Sequence, residues 1–74
     1  MRGRYAVRIT PADIGQRVTI RIRTHAGEGQ PSTTDVLGVL RSWDKGVLRV
    51  ERRDGRVSEI PEADLLAAKV ISIT

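Results

Sequence analysis

The chain has 74 residues, enough for one domain, with 39% hydrophobic residues, a single histidine, no cysteine and a net charge of +4. No disulfide or thiolate metal site is available, and His25 alone cannot build a metal centre. No apolar run approaches the roughly 18 residues a bilayer span needs, and Arg8, Asp13 and Arg17 interrupt any apolar stretch behind the basic start, so the expectation is a cytoplasmic protein without membrane contact.

The core has to come from 8 Val, 7 Ile and 5 Leu, with no Phe, and β-branched residues of this kind favour strands. Basic charge is uneven. Arg2, Arg4, Arg8, Arg17, Arg21 and Arg23 face only Asp13 within the first 24 residues, whereas acids slightly outnumber bases in the remainder. Such a basic third suits a nucleic-acid surface, and it equally suits outward strand positions filled from an arginine-rich codon usage.

In chain order, residues 1–9 read as a basic tail whose Val7 and Ile9 can pair as an edge strand. Thr10-Pro11-Ala12-Asp13-Ile14-Gly15 then holds an N-cap, a first-turn proline and a left-handed stop, which fits one helical turn. Over 17–24, Val18, Ile20 and Ile22 alternate with Arg17, Thr19, Arg21 and Arg23, the period of a half-buried strand. Residues 25–33 form a Gly/Pro/Ser-rich polar loop.

Residues 34–43 predict a second strand, apolar on both faces, with Val36 and Leu40 on one and Leu37 and Val39 on the other. Gly38 in its middle suits a bend or bulge. Asp44-Lys45-Gly46 turns into a third strand over 47–52, and Asp54-Gly55 turns into a fourth over 56–60. A two-residue loop there puts Val50 and Val57 on one face and Ile60 on the other, a conflict that a bulge would resolve. Residues 61–66 predict one helical or 3₁₀ turn, and 67–73 a fifth strand. The spacings are too short for crossover helices. The reading is therefore an all-β fold, a small five-stranded antiparallel SH3-like barrel over 15–74, preceded by a basic segment and helical turn over 1–14.

Two stretches carry a resemblance. Thr34-Asp-Val-Leu-Gly-Val-Leu-Arg-Ser-Trp-Asp-Lys-Gly-Val-Leu-Arg-Val and Asp54-Gly-Arg-Val-Ser-Glu-Ile-Pro-Glu-Ala-Asp-Leu-Leu-Ala-Ala-Lys-Val, with the opening Gly15-Gln-Arg-Val-Thr-Ile-Arg-Ile-Arg, are similar to the amino-terminal SH3-like domain of actinobacterial GNAT-family acetyltransferases. The resemblance spans about residues 15–72. It implies an accessory or protein-interaction module beside an acetyltransferase domain, and no catalytic residue carries over to this chain.

The residues agree with a noncatalytic reading. The pyrophosphate loop of acetyl-CoA sites fails at Val57 in one candidate segment and at Thr24 in another, so no cofactor is expected. Asp13, Asp35, Asp44, Asp54, Glu62 and Asp64 sit at turns and caps, where side-chain-to-backbone bonding explains them. His25 with Ser32, Ser42 or Ser58 has neither an orienting partner nor an oxyanion hole. Tyr5 and Trp43 are too few aromatics for a polyproline groove. Trp43 reads as a plug at one end of the barrel, its indole N–H toward water.

The candidate binding surface is Arg17, Arg21 and Arg23 with Trp43. The alternative function is a small basic barrel binding nucleic acid without sequence specificity. The expected partner is a protein, or the adjacent acetyltransferase domain. The apolar ends Val7, Ile9, Ile71 and Ile73 further predict a homodimer formed by edge pairing.

Overall fold

A computed structural model describes residues 7–24 and 32–71. Within them lie five strands: β1 (Arg17–Thr24), β2 (Ser32–Asp44), β3 (Val47–Glu51), β4 (Val57–Pro61) and β5 (Leu65–Val70). All strand pairs are antiparallel, in one sheet of order β4-β3-β2-β1-β5. Two 3₁₀ turns, Pro11–Asp13 and Glu62–Asp64, precede β1 and β5. No helix among the described residues is long and apolar enough to cross a membrane.

One face of the sheet is dry. Val18 and Ile20 of β1, Val36 and Leu40 of β2, Leu48 and Val50 of β3, Ile60 of β4 and Ala68 of β5 form a single buried cluster, which Ile9 joins from before β1. Every strand contributes, so the sheet curls around its own inner face as a small barrel does; a flat sheet of one layer would leave that face wet. Burying each Leu or Ile completely is worth about 1.5–3 kcal/mol, more than any exposed ion pair on the outside contributes.

The expected five-stranded antiparallel architecture is the one observed, and β1 occupies the residues its alternation predicted. The turn at 10–15 forms as read. Thr10 Oγ1 accepts from the Ala12 amide, Asp13 accepts from the Thr10 amide at 2.9 Å, and Gly15 takes φ 99°. Besides the fifth strand, which runs Leu65–Val70 after a turn of only Glu62–Asp64 where 67–73 and 61–66 were predicted, three details differ. β2 begins at Ser32, so the polar loop gives up its last two residues; 25–31, with His25, lie outside the described residues, as do the tail at 1–6 and Ile73 of the fifth strand.

The second difference is that β2 is not buried on both faces. Val36, Gly38 and Leu40 point inward, while Leu37 is 51% exposed. The third concerns the β3–β4 hairpin. Arg52 and Arg56 pair across a three-residue loop, with Gly55 at φ 88° and its amide bonded to the Arg52 carbonyl. That extra residue sets Leu48 opposite Ile60 and Val50 opposite Ser58, and turns Val57 outward. The phase conflict is removed by loop length, with no bulge in the ladder. At the β2–β3 turn, Lys45 (φ 51°) and Gly46 (φ 76°) make the two-residue left-handed loop that matches strand twist.

At Gly38, β2 passes close to the backbone of β3. β2 pairs with β1 through Val39 and with β3 from Val39 onward, shifting register between Leu40 and Ser42. A Cβ on Gly38 would run into the Glu51 carbonyl oxygen and stand 2.8 Å from Val50 Cγ1 and 2.9 Å from the Glu51 carbonyl carbon. Gly38→Ala should therefore cost about 2 kcal/mol through overpacking, since the neighbour that must yield is backbone. Thermal denaturation should show a drop of roughly 8–16 °C; an unchanged melting temperature would show that β3 can retreat freely.

Candidate binding surface

Strand alternation sorts the side chains of β1 and β2 into two sets. The inner set fills the core. The outer set carries Arg17, Thr19, Arg21 and Arg23 on β1, facing Val39, Leu37, Asp35 and Thr33 respectively on β2. The three arginines predicted for a binding surface thus share one exposed face. Trp43 does not join them. It lies opposite Leu48 near the far end of β2, packs against the core, and its Nε1–H donates to Glu62 Oε1 at 3.2 Å. Its N–H is engaged with the turn before β5, where water had been expected. That contact, with the Glu62 amide bonded to the Gly46 carbonyl at 2.8 Å, ties the turn to the β2–β3 hairpin.

The arginines also differ in partners. Arg21 Nε donates to Asp35 Oδ1 at 2.9 Å and a terminal nitrogen reaches Oδ2 at 3.3 Å. This hydrogen bonding, opposed by desolvation and aided to a smaller extent by the guanidinium charge, holds the Asp35 carboxyl below the usual carboxylate range. Arg41 pairs with Glu51 at 2.7 Å and Arg49 with Glu59 at 3.0 Å. Arg17 and Arg23 make no ion pair among the described residues.

Most carboxylates are taken up by the fold. Asp13 closes the first turn, Asp54 accepts from the Arg56 amide at 3.0 Å, Glu62 holds Trp43, and Asp35, Glu51 and Glu59 meet arginines across strands. Among the described residues no group of three or more His, Asp or Glu is placed to hold a metal ion. Shallow depressions on the outer surface of the described residues include the following two. One, of about 480 Å³, lies over β1 and β5 between Arg8, Arg21 and Lys69. The other, of about 220 Å³, lies over the bend of β2 between Arg17, Leu37, Val39, Arg52 and Arg53. Sequence reasoning missed the second, because Arg52 and Arg53 flank a hairpin loop and only the curl of the sheet brings them beside Arg17.

Fold and surface together define a small Sm-like or SH3-like β-barrel with a charged, solvent-facing outer sheet. Residues 12–69 match the Rv0428c N-terminal Sm-like domain family, and the chain belongs to that family. No curated protein and no solved structure matches it significantly.

The Arg21–Asp35 pair gives a signed expectation. Because the folded carboxyl titrates below its unfolded value, the pair stabilises the fold above the unfolded pKa, and that contribution is lost as pH falls through the folded one. Asp35→Asn should flatten the acid side of the stability profile, read as urea midpoints between about pH 5 and pH 2.5. Equal loss in both proteins would show that the exposed pair contributes nothing.

Proposed function

We propose that this Sm-like domain is a noncatalytic interaction module working beside a GNAT-type acetyltransferase. The observation that carries the noncatalytic part is how the carboxylates are used: among the described residues six of them hold turns, an indole or cross-strand arginines, and so serve the fold instead of acid–base work. What supports the acetyltransferase is the resemblance over about residues 15–72 to domains that precede such enzymes; the family match itself supports a small Sm-like interaction domain.

A second reading, nucleic-acid binding through the outer face of β1, is favoured by Arg17 and Arg23, which point to solvent without a carboxylate among the described residues. It is weakened by Trp43, the only described aromatic, which packs on the core away from that face and so offers no stacking platform.

The purified chain, mixed with the catalytic domain of a GNAT acetyltransferase from the same genome, should sediment as a complex and turn over no acetyl-CoA by itself. Acetyl transfer by the chain alone, or micromolar acetyl-CoA binding, would overturn the noncatalytic reading. Failure to form a complex at tens of micromolar, on the order of a weak Kd, would overturn the acetyltransferase partner. Salt-sensitive binding of a single-stranded oligonucleotide that disappears when Arg17, Arg21 and Arg23 all become Ala would favour the second reading.

A further inference from the structure

The depression over the bend of β2 combines two features that the fold does not need. The first is apolar. Leu37 and Val39 are successive outward residues of β2, with Leu37 51% exposed in the middle of a strand. A single exposed apolar residue is ordinary. Here two adjacent ones floor a concavity.

The second feature is charge. Arg17, Arg41, Arg52 and Arg53 line the depression against one carboxylate, Glu51, which Arg41 already engages at 2.7 Å. Arg17, Arg52 and Arg53 have no ion pair among the described residues. Arg17 stands opposite Val39 on the β1 side, while Arg52 and Arg53 follow the end of β3 on the other. The apolar floor is thus bracketed by guanidinium groups that no ion pair among the described residues engages.

We propose that this groove docks an acidic protein segment in which an apolar side chain is flanked by carboxylates. The apolar side chain rests on Leu37 and Val39, and the carboxylates meet Arg17 on one side and Arg52 and Arg53 on the other. Arg is suited to this because its planar fork donates to both oxygens of a carboxylate. β2 is a central strand, paired with β1 and β3 on either side of Val39. No backbone edge is open there, so recognition runs through side chains across the sheet face and not through strand addition. The proposal rests on the interaction-module reading and adds to it the surface and the partner's chemistry.

The probe is a short fluorescein-labelled peptide repeating Glu-Asp-Leu, titrated onto the full chain by polarisation, with amide chemical shifts mapping the contact. Binding should perturb the amides of Leu37, Val39, Arg52 and Arg53. Leu37→Ser should weaken it about tenfold and Arg52→Glu with Arg53→Glu at least as much. Both sites face solvent, so the melting temperature should hold; Lys45→Glu, the same charge reversal at a distant turn, should leave binding unchanged.

Equal weakening by Lys45→Glu, or a peptide repeating Glu-Asp-Ser that binds as well, would reduce the groove to general charge attraction and overturn the proposal. So would an oligothymidylate that displaces the peptide and binds wild type and Leu37→Ser alike. If the acetyltransferase complex forms but ignores both groove variants, the module reading stands and this surface is wrong. If the peptide binds in the groove while no such complex forms, the groove stands and the acetyltransferase partner falls.

Discussion

The approach of β2 to β3 at Gly38 governs the rest of the molecule. There the outer half of the long strand stops belonging to β1 and starts belonging to β3, and a carbonyl oxygen occupies the space a side chain would fill. Because the two strands close in at that point, Leu48, Val50 and Ile60 are carried over Val18, Ile20 and Ala68, and one sheet can bury a complete core. The same bend brings Arg52 and Arg53 alongside Arg17 and hollows the outer surface between them. Core closure and outer groove are two sides of one backbone contact.

How far the sequence discloses this depends on how local each feature is. The alternation of 17–24 and the Thr10–Asp13 turn depend on neighbouring residues only, and both were readable from pattern and capping chemistry. The face of Leu37 was not. An apolar residue on a strand reads as buried unless something says which side the core lies on, and here the exposed side is as apolar as a core would be. The phase of Val57 depended on whether the loop held two residues or three, and Asp54-Gly55 fits both lengths. Only the need to bury Ile60 decides between them. Arginines on one strand could be grouped by period. Arginines joined by a bend in another strand could not, which is why Arg52 and Arg53 went unnoticed beside Arg17. Trp43 was placed correctly at the barrel's end but given the wrong neighbour, since its partner Glu62 lies 19 residues further along the chain.

The outer face also shows how a barrel without a disulfide divides its charged residues. Cross-strand pairs at Arg21–Asp35 and Arg49–Glu59 set opposite charges in register, which favours that register over shifted ones more than it stabilises the fold, while Arg41, at the register shift of β2, reaches Glu51 diagonally. Arg17, Arg23, Arg52 and Arg53, which make no ion pair among the described residues, add a positive potential that the interior does not require. Stability here rests on aliphatic packing, leaving the surplus charge available for recognition.

The segment before β1 has a meaning that the family match leaves out. Ile9 is 4% exposed within the core, the Arg8 amide donates to the Ala68 carbonyl at 2.8 Å, and Val7 bridges Ala68 in parallel, all ahead of residue 12 where the family resemblance begins. These residues act as a clasp along the outer edge of β5. A domain boundary drawn from sequence similarity alone would cut through that clasp, opening a cavity where Ile9 sits and unpairing a strand edge. Any grafting of this barrel onto another protein has to carry the clasp with it, because Ile9 fills the core and the Arg8 amide pairs with β5.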